Sequence, residues 1–171
     1  MAEVLRSHEK NIRNPARARS RLSDRGARSL LIVYPDTSFI VSLYLPDRHS
    51  QDAERRLVRR PLLCMTPLHR AEWTHAIAQH VFRHEISASE AQQVYKAFER
   101  DRADGLWEET ALSEAIFETC VELARRYAAR LGVRTLDTLH VAAALELKAQ
   151  EFWTYDGRQG KLAKAAGLKT S

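Results

Sequence analysis

Four acidic residues in this sequence, Asp36, Glu72, Asp137 and Asp156, each fall where a predicted element meets a loop or a helix begins. Asp36 follows the short apolar run Leu31-Ile32-Val33-Tyr34, and Asp156 follows Phe152-Trp153-Thr154-Tyr155. Glu72 and Asp137 fall early in predicted helices. In an open parallel sheet, ligands bind at the carboxyl ends of the strands. Carboxylates gathered there repel one another unless something positive holds them. The natural counter-ion is a hard divalent cation, and its natural substrate is a phosphate ester.

Each acid also has a plain structural reading. Asp36 lies in Pro35-Asp36-Thr37-Ser38, where it can hold a metal with a neighbouring hydroxyl to orient it, or simply cap the next helix. Glu72 complements a helix dipole. Asp156, before Gly157, fits a turn. The Thr154 hydroxyl, two residues back on the same strand face, can reach a carboxylate of the site. Asp137 is the most telling, because charge near the start of a buried helix is costly unless paired or metal-bound. His140 lies one turn on from it, either as a ligand or proton shuttle or as a core histidine bonded to a carboxylate or the backbone. Trp73 reads as core packing.

The elements that must position these residues alternate. Strands are predicted at Leu31–Tyr34, Leu62–Met65, Leu106–Glu108, Phe152–Tyr155 and Leu168–Thr170. Helices are predicted at Phe39–Leu45, from Ser50 to about Val58, from Thr66-Pro67 onward, from the Ser87-x-x-Glu90 capping box to about Arg102, from Ser113 to Gly132, from Thr135 to Leu147, and around Lys161–Ala166. In the helix after Pro67, Leu68, Ala71, His75, Ala78 and Phe82 recur at helical spacing. Such alternation implies an α/β fold with a mostly parallel central sheet and helices on both faces, a three-layer sandwich.

At 171 residues the chain is sized for one domain. Residues 1–30 hold eight Lys/Arg against three Asp/Glu, so the net charge of +5 lies in that stretch, and the remainder balances at 19 of each sign. We read 1–30 as a basic, disordered extension and 31–171 as the domain. The overall charge is therefore no argument for nucleic-acid binding. The Arg55-Arg56 and Arg59-Arg60 pairs are the best internal candidates for backbone phosphate contacts. His80 and His84 share a helix face without a third ligand. No apolar run reaches the ~20 residues of a membrane span, and no signal peptide is evident. Cys64 and Cys120 read as buried free thiols, consistent with the cytoplasm.

In order and context, the segments Tyr34-Pro35-Asp36-Thr37-Ser38, Glu72, Arg134-Thr135-Leu136-Asp137-Thr138-Leu139-His140-Val141-Ala142-Ala143 and Thr154-Tyr155-Asp156-Gly157-Arg158-Gln159 resemble the PIN-domain nucleases, most of all VapC-type toxins of bacterial toxin–antitoxin pairs. The resemblance covers Leu31 to Ser171. It implies a PIN-like fold and an endoribonuclease dependent on one or two Mg²⁺ or Mn²⁺ ions. Asp36, Glu72, Asp137 and Asp156 would surround the metal, with Ser38 and Thr154 as supporting hydroxyls. It further implies an RNA substrate, a homodimer and a cognate antitoxin protein. Three features depart from the family pattern: the basic stretch 1–30 ahead of the first strand, where the family usually begins within a few residues of it; Pro35, tolerable only at the end of a ladder; and Arg158-Gln159 where some members carry a further acid.

Rival readings are a non-toxin PIN nuclease in RNA processing, a non-catalytic binding module, an aspartate-nucleophile phosphatase and a phospho-receiver domain. The phosphatase wants an Asp where Ser38 stands. The receiver wants paired acids near Ile32, which are absent.

Overall fold

The computed structural model describes residues 31–170; the basic stretch 1–30 lies outside the described residues. Five strands, β1 (Ile32–Pro35), β2 (Leu62–Met65), β3 (Trp107–Glu109), β4 (Glu151–Trp153) and β5 (Lys169–Thr170), form one sheet of order β3-β2-β1-β4-β5. All four pairings are parallel. Short apolar strands buried on both faces require such covering by helices.

Seven helices supply that cover: α1 (Thr37–Tyr44), α2 (Ser50–Leu57), α3 (Pro67–Phe82), α4 (Ala88–Ala103), α5 (Glu114–Leu123), α6 (Thr135–Glu146) and α7 (Gly157–Ala165). After α5 the chain stays helical through a π-helical segment, Ala124–Ala128, and a last α turn, Ala129–Leu131, ended by Gly132 at φ 63°. Alternation along each strand divides the core in two. Tyr34, Cys64 and Phe152 pack with α5, α6 and α7 residues on one face. Val33, Leu63, Met65, Trp107 and Trp153 pack with α1, α3 and α4 residues on the other. The expected three-layer α/β sandwich is thus the observed one, and its sheet is wholly parallel.

Two local expectations are corrected. The buried stripe of α3 is His69-Trp73-Ile77, whereas Ala71, His75 and Ala78 are exposed and Phe82 is 77% exposed. The wide apolar spacing misled because the helix turns a histidine and a tryptophan, rather than its small residues, toward the sheet. Helix α7 begins at Gly157, four residues before the expected start, because Asp156 caps it. Both cysteines are buried and free.

Order reverses between β1 and β4: β2 and β3 build outward on one side of β1, and β4 and β5 on the other. The crevice beyond the carboxyl ends of these two strands is the topological switch point, where doubly wound sheets bind ligands. Asp36 follows β1 directly, and Thr154 and Asp156 follow β4.

Candidate active site

Asp36 is fully buried and caps α1. Its Oδ1 accepts from the Ser38 hydroxyl (2.6 Å) and the Phe39 N–H (2.9 Å), and its Oδ2 accepts from the Thr154 hydroxyl (2.6 Å). Burial pushes its pKa above the usual carboxylate value; the two hydroxyls, His140 and the Phe39 N–H oppose this without cancelling it. Capping and site chemistry are therefore one geometry here. The cap fixes which way the carboxylate points, and the strand end fixes where it stands.

Thr154 holds two acids at once. Besides donating to Asp36, its Oγ1 accepts the Asp156 N–H at 2.9 Å. Ser38 likewise bridges the crevice, donating to Asp36 and accepting the Tyr155 N–H at 2.9 Å. Asp156 is half-buried and caps α7, its Oδ1 taking the N–H groups of Arg158 (2.7 Å) and Gln159 (3.1 Å).

Asp137 lies in the first turn of α6, where its Oδ2 accepts the Arg134 N–H at 2.9 Å in a capping box. Its Oδ1 faces the Gln159 amide nitrogen at 3.4 Å. Gln159 thereby links the third and fourth acids by backbone and side chain, and its Oε1 is buried without a partner. Sequence reasoning gave Gln159 no part beyond noting the missing acid; its place in the first turn after an Asp cap was the available signal.

Glu72 is half-buried on α3 and accepts from the Thr37 hydroxyl at 2.6 Å. It also pairs with His140 Nε2. Burial raises its pKa, but the His140 bond and charge and the Thr37 hydroxyl outweigh this, so the net shift is downward. His140 is fully buried, with Nδ1 2.9 Å from the Tyr34 hydroxyl. The core-histidine reading of His140 is thus the observed one, and the carboxylate it binds is an acid of the site.

Pro35 ends β1, in register with Trp153 of β4 but beyond the β1–β2 pairs. The β1–β2 register runs over Ile32↔Leu62 and Val33↔Leu63, so Pro35 lies past it. Its carbonyl, having no ladder partner there, accepts from His69 Nε2 at 2.7 Å. The ring's Nδ1 accepts the Thr66 N–H at 2.9 Å, which sets the tautomer. Arg59 is not free for phosphate: its guanidinium grips Glu151 at 2.9 and 3.1 Å.

Hydroxyls and the Gln159 amide therefore connect the acids pairwise: Asp36 with Asp156, Asp156 with Asp137. Thr37, the residue next to Asp36, donates its hydroxyl to Glu72. None of the four makes a salt bridge to Lys or Arg among the described residues. Nor, among the described residues, do three or more His, Cys, Asp or Glu side chains close around one point as metal ligands.

The sequence matches the PIN domain over residues 33–165. Among solved structures, the chain is similar to VapC20 of Mycobacterium tuberculosis, described as a sarcin-ricin loop cleaving toxin, at 18% identity and TM-score 0.60, covering 80% of this chain and 95% of that one. It is similar to VapBC2 of Rickettsia felis, solved with a fragment of promoter DNA, at 16% identity and TM-score 0.58, covering 82% and 97%. It is also similar to FitAcB of Neisseria gonorrhoeae at 15% identity and TM-score 0.59, covering 81% and 96%. These likenesses are of fold. No curated protein matches the sequence. A match spanning most of the chain, on the segment that carries all four acids, makes this protein a member of the PIN-domain family.

Proposed function

We propose that this protein is a metal-dependent endoribonuclease acting as the toxin of a toxin–antitoxin pair. The observation that carries the nuclease reading is four carboxylates around the carboxyl ends of the strands of a parallel sheet, none of them in a salt bridge to Lys or Arg among the described residues. Hard oxygen donors, of which Glu72 is paired with the His140 imidazole, fit Mg²⁺ or Mn²⁺. Mg²⁺ uses one or two protein carboxylates, several waters and substrate phosphate, so a closed cage of three ligands is not needed. Asp36, Glu72, Asp137 and Asp156 would hold the ion. When bound, such an ion polarises a phosphodiester and makes water more acidic.

The chain's own residues do the rest. Ser38 and Thr154 fix the rotamer of Asp36, His140 and Thr37 fix Glu72, and the α6 cap fixes Asp137. A site this negative must draw RNA through cations at its rim and through the metal. The toxin reading, the antitoxin partner and a homodimer are supported by the likeness in fold to VapC20, VapBC2 and FitAcB. Among the described residues no helix is long and apolar enough to span a membrane; an RNA substrate met in the cytoplasm is part of this proposal.

Two experiments test this. Purified protein should cleave single-stranded RNA in Mg²⁺ and stop in chelator; Asp137→Asn protein cleaving at the wild-type rate would refute the site. Induced expression in a bacterial host should arrest growth with wild type and not with Asp36→Asn. Cleavage in vitro without arrest in hosts from several lineages would leave a nuclease that is not a toxin.

A further inference from the structure

An open cleft of about 660 Å³ is lined by Asp156 and by Thr37 and Ser38, the residues that follow Asp36, together with Arg48, His49 and Tyr155. Its size falls in the range of small-molecule sites, ~300–1,000 Å³. The proposed chemistry uses the acid edge; nothing in it uses the aromatic wall. That wall is built rather than incidental. The His49 and Tyr155 rings are stacked, 4.1 Å between centroids and 9° from parallel. Tyr155 is also near-parallel to fully buried Phe39, 5.7 Å away at 21°. Its hydroxyl is tied to Asp52 at 2.9 Å.

The loop bearing His49 is fastened as well. Asp47 accepts from the Ser42 hydroxyl (2.7 Å) and the His49 N–H (2.7 Å), and its own N–H donates to Ser50 Oγ (2.9 Å). Arg48 Nε donates to His49 Nε2 at 3.0 Å, placing a guanidinium at the ring's edge. Arg48 is exposed and makes no ion pair among the described residues.

We infer that this wall is a nucleobase subsite: one base of single-stranded RNA stacks on His49, backed by Tyr155, while Arg48 meets a neighbouring phosphate. Single-stranded bases are recognised by stacking on aromatic side chains. Tyr155 stands between Thr154 and Asp156, so a base seated there is one chain residue from the carboxylates. The subsite would set which nucleotide flanks the cleaved bond. A protein segment could also fill an aromatic cleft, but a flat ring pair edged by a cation beside acids suited to a phosphodiester favours the nucleotide.

This rests on the RNA-cleaving reading, and its test separates the two. Binding of a labelled single-stranded RNA decamer is measured by fluorescence anisotropy in Mg²⁺ under single-turnover limits, beside a set of decamers each lacking one base. His49→Ala should weaken binding of the intact decamer about tenfold, and one abasic position should weaken binding to wild type equally. That abasic decamer should bind His49→Ala no worse than the intact one. His49→Phe, which keeps a ring and removes the Arg48 bond, should retain most of the affinity. Equal binding by wild type and His49→Ala, with both melting at the same temperature, overturns the subsite even if RNA is cleaved. Base-dependent binding through His49 without any cleavage keeps the subsite and refutes the nuclease. Loss of partner-protein binding in His49→Ala with RNA affinity unchanged also overturns it.

Discussion

The Thr154 hydroxyl donates to Asp36 Oδ2 at 2.6 Å across the β1–β4 pair, joining two residues 118 apart in sequence. One short side chain thus registers the two strands at the switch point and orients the buried carboxylate between them. The same oxygen accepts the Asp156 N–H. Thr154→Val keeps shape and removes both bonds. It leaves Asp36 with two donors and pushes its already raised pKa further up. RNA cleavage should fall about tenfold at neutral pH, with part of the loss recovered toward higher pH as Asp36 ionises. A pH–rate profile superimposable on wild type would count against this coupling.

Asp36 should show a trade between stability and activity. Its folded-state pKa is raised, chiefly by burial. For an acid with that sign, the native state holds the proton more tightly than the unfolded chain. Stability is therefore favoured at low pH and reduced once the group ionises. Asp36→Asn removes the buried charge and keeps a side-chain oxygen to cap α1. Cleavage should drop about a hundredfold or more, while the melting temperature at pH 7 equals or exceeds that of wild type. A variant melting well below wild type would show that the charge itself supports the fold.

At the amino end of β4, away from the site, stands another buried carboxylate with a different purpose. Glu151 is 2% exposed and takes bonds from Arg59, from Lys169 at 2.8 Å and from Trp153 Nε1 at 2.9 Å. Burial would raise its pKa, but these donors hold it at about 2. A depressed acid contributes stability above its unfolded value, lost as pH falls toward its folded value, here between about pH 4.5 and 2. Glu151→Gln should cost about 1–2 kcal/mol, since Arg59 and Lys169 can rehydrate but Trp153 cannot. That is a fall of about 2–8 °C in melting temperature, with RNA cleavage at 25 °C unchanged. A large loss of cleavage with no loss of stability would place Glu151 in the site.

Much of this was legible in the chain. Short continuous apolar runs marked the strands, and Thr66-Pro67 and Ser87-x-x-Glu90 marked helix starts, because caps are local chemistry. The four acids stood out through their places at element ends. What stayed hidden depends on residues far apart in sequence. Nothing local says that Arg59, in a surface Arg pair, reaches Glu151, or that His69 rather than His75 faces the sheet. Stacking of His49 on Tyr155 needs the α1–α2 loop folded against the end of β4, which no periodicity reports.

His69 should be one source of acid sensitivity in the fold. It is fully buried, and burial, then the nearby His140, hold its pKa well below the usual histidine value, against the Pro35 carbonyl. The hydrogen bonds say why the proton is refused. Nδ1 already receives the Thr66 N–H, so a proton there would face a donor, and Nε2–H is spent on Pro35. The unfolded chain has no such objection and protonates near pH 6.5. Below that pH the unfolded state binds the extra proton, so stability falls on acidification, by up to ~1.4 kcal/mol per pH unit from this one group. In His69→Gln the titratable ring is gone while a side-chain donor for the Pro35 carbonyl remains. Its stability at pH 7 should be lower, but its further loss between pH 6.5 and 5.5 should be smaller than that of wild type by about 1 kcal/mol. Urea midpoints at the two pH values measure this directly. Equal losses in the two proteins would mean that His69 takes up a proton in the native state, and that the tautomer assigned from Thr66 is wrong.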